Sequence, residues 1–157
     1  MKDNYKIIAQ NRRAGFDYFL EDEFEAGMVL LGSEIKSLRD GKANIKGAFV
    51  EITDDNECFL VNSSIQPYKL ATFFNHEEKR KRKLLLNKRE IKKIKGKITL
   101  EGYTCVPLVI YINHKNFAKI KIAVAKGKKL YDKREKIKET EWKKERKNLM
   151  NERHGFK

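Results

Sequence analysis

The cations of this 157-residue chain are unevenly spread along it, and that limits what each part can fold into. Residues 1–78 hold 9 Lys/Arg against 14 Asp/Glu, a net charge of −5, whereas residues 79–157 hold 27 against 8, a net of +19. Lys79-Arg80-Lys81-Arg82-Lys83 is an unbroken run, and eleven of the twenty residues from Lys79 to Ile98 are basic. A second block opens at Lys126-Gly127-Lys128-Lys129 and continues to the C-terminus. Blocks of like charge repel themselves and resist burial, so they mark a surface held for a polyanion, nucleic acid above all. A chain that needs only solubility intersperses its charges.

Apolar residues are dense from Phe16 to Phe74 and from Ile98 to Val124, and nearly vanish after Ala125. One core-bearing domain over residues 1–130 followed by a basic tail, 131–157, is the expected organisation. No run approaches the roughly 20 apolar residues of a membrane span. Met1-Lys2-Asp3-Asn4-Tyr5 lacks an apolar stretch of signal-peptide length, so a cytoplasmic protein with no membrane partner is expected. Cys58 and Cys105 each lie in a hydrophobic stretch outside any CxxC and read as buried reduced thiols. His76, His114 and His154 have no second ligand at metal spacing, so neither a metal site nor a cofactor is expected.

Alternation and turn signals predict strands at Phe16–Leu20, Met28–Leu38, Phe49–Thr53, Cys58–Val61, Ile98–Leu100, Thr104–Ile112 and Ala118–Val124. Asp40-Gly41, Asp54-Asp55-Asn56, Glu101-Gly102 and Asn113-His114-Lys115-Asn116 separate them. Short strands so punctuated predict a mainly β fold with a few helices, an antiparallel sheet closing into a small barrel. Helices are expected at Glu21–Ala26, which is stopped by Gly27, in a single turn around Pro67–Phe73, and over Leu84–Ile94, which is ended by Gly96. The tail, rich in Glu, Lys and Arg, has helix-favouring pairs such as Glu139 with Lys143 but too thin an apolar stripe to dock firmly. It is expected to be disordered when free and helical when bound, reaching roughly 35 Å as a helix.

Catalysis finds little support. Asp17 with Glu34-Ile35-Lys36 loosely matches the acidic-residue then (D/E)xK pattern of metal-dependent nucleases, a permissive pattern in any charged sheet. Lys126-Gly127-Lys128 lacks P-loop spacing, and no nucleophile–base grouping appears. Any single lysine reads as a solvated surface charge, but five consecutive cations do not. Tyr131 and Trp142, flanked by cations with no core predicted around them, could stack on unpaired bases. Leu149-Met150 could serve as a weak packing contact or as an anchor in a groove.

Eight strings in order along nearly the whole chain are shared with one family. They are Asn11-Arg12-Arg13-Ala14, Glu25-Ala26-Gly27, Gly32-Ser33-Glu34-Ile35-Lys36-Ser37-Leu38-Arg39, Gly41-Lys42-Ala43-Asn44, Asn75-His76, Arg82-Lys83-Leu84-Leu85-Leu86, Glu101-Gly102-Tyr103-Thr104 and Ala125 through Arg134. In these the chain resembles the SsrA-binding protein family (small protein B), the partner of tmRNA in rescuing stalled bacterial ribosomes. The resemblance implies a barrel of the oligonucleotide-binding type, no enzymatic activity and a monomer. It also implies two RNA-facing surfaces. Asn11, Arg12, Glu34, Lys36, Arg39, Arg82, Lys83, Lys126, Lys128 and Lys129 would lie at or close to the one that holds the tRNA-like domain of tmRNA. Tyr131, Asp132, Lys133, Arg134, Trp142, Leu149 and Met150 would meet the ribosome, at the small-subunit decoding centre and in the mRNA channel when it is empty. Tyr131 stands where His is commoner in the family, which keeps stacking and loses imidazole protonation. Glu78 replaces a common Pro, which is expected to loosen the loop before the basic run. A ribosomal or other structural RNA-binding protein is the nearest alternative, since it would need the domain but not a tail of this kind.

Overall fold

The computed structural model describes residues 5–71 and 73–155. Along it run β1 (Lys6–Gln10), α1 (Ala14–Asp17), β2 (Tyr18–Met28), α2 (Gly32–Arg39), β3 (Ala43–Asn44), β4 (Phe49–Ile52) and β5 (Cys58–Val61). They are followed by β6 (Ser64–Ile65), β7 (Arg82–Leu85), α3 (Lys88–Ile98), β8 (Tyr103–Ile112), β9 (Ala118–Gly127) and α4 (Leu130–Gly155). No helix among the described residues is long and apolar enough to cross a membrane.

The hairpin of β8 and β9 is the spine. Its alternating apolar residues Cys105, Ile110, Ile120, Ile122 and Val124 enter the core with Leu38, Leu60, Leu84 and Ile94. Pro107 has no amide to give the ladder and sits where the β8–β9 register shifts, between Pro107 and Val109. The carbonyl of Leu108 instead accepts from Asn11 N at 2.8 Å.

Seven antiparallel strands form one sheet in the order β1-β8-β9-β2-β7-β5-β4, and β3 pairs with β6 apart from it. The expected closed barrel is therefore not formed: the sheet curls but keeps two edges, β1 and β4. The three strands at the β4 end are only 4 residues long each, too short to carry the curl round to a ladder with β1. β4 instead approaches β8 across the core without pairing to it.

Several local expectations are corrected. Glu21–Ala26 is not a helix but the middle of β2, laddered to β9 from Glu23 to Ala26, and its first two acids face α3. There Glu21 accepts from Lys97 Nζ and Tyr103 Oη, both at 3.1 Å, and Asp22 lies 3.7 Å from Lys93. Cross-strand partners override local helix propensity here. Met28–Leu38 is not one strand: its second half is α2, whose buried residues Glu34, Ser37 and Leu38 keep helical spacing. Phe16 belongs to α1, so the strand expected from Phe16 starts only at Tyr18, as β2. Leu84 and Leu85 complete β7, and the helix after them starts later than expected. Asn87 sets that start, its side chain accepting from Glu90 N while Glu90 Oε1 accepts from Asn87 N. The helix runs through Gly96 to Ile98, so Ile98–Leu100 is not a strand. Around Pro67–Phe73 no helix forms among the described residues. Both cysteines are free and buried, as expected, and burial pushes the Cys58 thiol up to about 12 and the Cys105 thiol higher still.

Candidate RNA interface

The basic run does not simply project into solvent. Arg82, in β7, is fully buried at 0 % exposure, as is Glu34 in α2. Arg82 Nε donates to Glu34 Oε2, and Arg80 Nη2 donates to Glu34 Oε1 at 2.6 Å. Leu31 N also donates to Oε1, at 2.8 Å, capping α2. The rest of the Arg82 guanidinium donates to Ser63 Oγ at 3.1 Å and to the carbonyls of Ser63, Glu77, Glu78 and Arg80. One cation thus ties α2, the segment before β6 and the chain entering β7 into a single frame.

Burial alone would push the Glu34 carboxyl up. The hydrogen bonds from Arg80 and Leu31 and the charge of Arg82 outweigh it and hold the carboxyl below its ordinary value. Burial likewise pulls the Arg82 guanidinium down, opposed by Glu34. In the adjoining loop Glu78 Oε1 accepts from Ser64 Oγ at 2.6 Å, and the Glu78 carbonyl accepts from Ile65 N. His76 is buried and spent, Nδ1 on Ser33 Oγ at 2.9 Å and Nε2 on the carbonyl of Ile65 at 2.8 Å.

Around this frame lie the exposed cations. Lys36 stands over the ring of Tyr68 at 5.5 Å. Arg39, at the end of α2, accepts from Lys6 Nζ through its carbonyl, and Arg12 borders the cleft between β1 and β3. Lys83 is half-buried beside Glu57 at 3.4 Å.

A second group gathers where β9 ends. Lys126 lies over Tyr103, and Lys128 lies 4.9 Å over Phe19. The carbonyl of Gly15 in α1 accepts from both Lys128 Nζ and Lys136 Nζ. Burial, reinforced by the neighbouring Lys136, holds the Lys128 ammonium below the ordinary lysine value. Asp17 pairs with Lys133 at 3.3 Å and lies 3.9 Å from Arg13. Asp132 Oδ2 accepts from Lys129 N and caps the first turn of α4. Asn11 Nδ2 donates to the carbonyl of Pro107, tying the start of this region to β8.

The site residues read from the sequence therefore divide. Arg12, Lys36, Arg39, Lys126 and Lys129 are exposed, while Asn11, Lys83 and Lys128 are half-buried. Glu34 and Arg82 are buried. In α4, Tyr131 is 71 % exposed and Arg134 is exposed, whereas Asp132 and Lys133 are engaged at the joint with the body. Trp142 is exposed under the guanidinium of Arg146, Leu149 is exposed, and the side chain of Met150 lies outside the described residues. Sequence reading assigned no role to Ser63 or Lys136, whose partners lie 19 and 121 residues away and leave no local signal. The nuclease pattern dissolves: both oxygens of Glu34 are taken by guanidiniums, Asp17 faces Lys133, and no metal-holding acidic cluster occurs among the described residues.

The family model for SmpB protein matches residues 8–152. The SsrA-binding protein of Roseobacter denitrificans is 50% identical over 152 residues, which cover 97% of this chain and 93% of that one. That of Orientia tsutsugamushi (strain Ikeda) is 54% identical over 149 residues, covering 94% and 97%. That of Wolbachia pipientis wMel is 55% identical over 144 residues, covering 92% and 96%. Among solved structures, a chain of "tmRNA-SmpB: a journey to the center of the bacterial ribosome" is 44% identical with a TM-score of 0.65, covering 77% of this chain and 84% of its own. The match over residues 8–152 and identities of 50% and more along nearly the whole chain place it in the SmpB family of SsrA-binding proteins.

Proposed function

We propose that this chain binds the tRNA-like domain of tmRNA in the cytoplasm and delivers it to stalled ribosomes for trans-translation, acting as an RNA-binding protein and not as an enzyme. The observation that carries the reading is the likeness along 97% of the chain to a protein named for binding SsrA, tail included. The geometry supports a division of labour. Residues 1–130 present two cationic groups, one on the frame around Glu34 and one at the end of β9, and both suit a folded RNA. Residues 131–157 form the tail, which probes the small-subunit decoding centre and enters the mRNA channel when that is empty.

The tail folds as a helix on binding and is disordered when free. Its hold on the body is polar, through Lys133 to Asp17 and Lys136 to Gly15, and such contacts are weak in water. Tyr131 stacks in the decoding centre, with Arg134 beside it; Trp142, Leu149 and Met150 line the channel further in. The partial curl of the sheet is the oligonucleotide-binding type of surface, left open at one seam.

Replacing Tyr131 by Ala together with Arg134 by Ala tests this division. Affinity for the tRNA-like domain is expected to stay within about twofold of wild type, while peptide tagging on stalled ribosomes is lost. Lost RNA affinity in a normally folded variant overturns the division, and equal binding of tmRNA and ordinary tRNA by the wild type overturns the tmRNA assignment.

A further inference from the structure

Between the C-terminal turn of α2 and the small β3–β6 sheet lies a cavity of about 250 Å³, lined by Ser37, Asp40, Lys42, Gln66, Tyr68 and Lys69, with Leu70 at its rim. The backbone around it is well defined. Gly41 turns the chain at φ +74, Lys42 N donates to the carbonyl of Ser37, and Gln66 N donates to the carbonyl of Lys42, extending the β3–β6 ladder. On the far side, Tyr68 and Asn75 clasp each other: Tyr68 N donates to Asn75 Oδ1 at 3.0 Å, and Asn75 Nδ2 donates to the carbonyl of Tyr68 at 2.9 Å. The buried His76 anchors this clasp to α2 through Ser33.

The walls of the cavity are held, but its polar groups are unspent. No hydrogen bond or ion pair among the described residues engages the side chains of Asp40, Lys42, Gln66 or Lys69. Further along the same loop, Phe73 and Phe74 are 91 % and 90 % exposed.

We propose that this cavity receives one unpaired nucleobase of the bound RNA, with Tyr68 as its aromatic wall and Gln66, Asp40 and Lys42 reading its edge. The proposal rests on the tmRNA reading and adds a base-specific contact to it. The volume falls below the roughly 300 Å³ at which drug-sized pockets begin and suits a single planar ring. A base offers a π face together with an edge of donors and acceptors, and the cavity answers both: one ring, one amide, one carboxylate and two ammoniums. A phosphate alone would meet Asp40 as a like charge and would have no use for the ring. A lipid surface would leave Asp40 and Gln66 desolvated without partners. Lys36 over Tyr68 enriches the same wall in positive charge, which keeps the backbone of the RNA near.

The test uses full-length protein, wild type, Tyr68→Ala and Gln66→Leu, with a transcript of the tRNA-like domain as probe. Binding is measured at two salt concentrations, and each base is mapped by chemical protection. Matching thermal melts establish that the variants are folded. The expected result is an affinity loss of about tenfold for Tyr68→Ala and a smaller loss for Gln66→Leu. The salt slope stays unchanged, and protection disappears at one unpaired base. Wild-type affinity and protection in both variants overturn the pocket. So does a loss spread evenly over the RNA with a shallower salt slope, which would mark a phosphate contact. Wild-type protein that does not prefer the tRNA-like domain over ordinary tRNA brings down the tmRNA reading and the pocket with it. Kept preference without the base-specific footprint brings down the pocket alone.

Discussion

Two places in this molecule set one carboxylate between two cations, with opposite consequences. Glu34, between Arg80 and Arg82, is 0 % exposed and has every oxygen occupied. Asp17, between Arg13 and Lys133, keeps 33% of its side chain in water. Attraction between such groups grows as water is excluded, and so does the penalty for leaving one of them alone. The first cluster is therefore a fixed part of the body, setting the relation of α2 to the basic run. The second is a contact that salt or a competing phosphate can undo. The body is preorganised around Glu34, whereas the joint with α4 is held by contacts open to water.

The contrast is broken most severely by Glu34→Ala, which strands two guanidiniums, one of them wholly buried. The expected cost is about 3–5 kcal/mol of folding stability, read from urea unfolding. Asp17→Asn should cost at most about 1 kcal/mol, so comparable losses at the two sites would erase the distinction.

Acid sharpens it. The Glu34 carboxyl is held below its ordinary value of 4.5, so its contribution is complete above that pH and drains away as pH falls below it. Unfolding midpoints of the wild type should drop on acidification below 4.5, and Glu34→Gln, already weakened, should show a shallower fall. Parallel pH profiles would mean that other carboxyls dominate acid unfolding.

The smallest effect is the most local. In Asp17→Asn, amide exchange across residues 131–140 should quicken while the β8–β9 hairpin keeps its protection. Added salt should produce the same change in the wild type. Exchange that quickens throughout the chain would show that α4 is part of the cooperative fold after all.

Much of the architecture was legible where order is local. The hairpin of β8 and β9 announces itself through alternation along each strand, and α3 through its isoleucine stripe, although its true start, Asn87, needed the capping box to be recognised. The acidic string Glu21–Ala26 and the strand-like Met28–Leu38 misled because their states are decided elsewhere. The ladder with β9 holds the first in the sheet, and Arg80 and Arg82 bury Glu34 on a helix. Closure of the sheet depends on the lengths of strands that pair at its far end, which no single segment reports. The site was legible as a set of residue types and not as roles. Family strings marked Glu34 and Arg82 as important, but only their burial separates holding a surface from touching the RNA.

The buried thiols give the folded chain a chemical silence. A thiol pushed up to about 12, as at Cys58, supplies almost no thiolate at neutral pH, and Cys105, with its value higher still, supplies less. Alkylating reagents and oxidants should therefore pass the native protein by, since β5 and β8 shield both sulfurs within one core. Any modification of Cys58 or Cys105 becomes a timestamp of core opening, written by the protein itself without an added label.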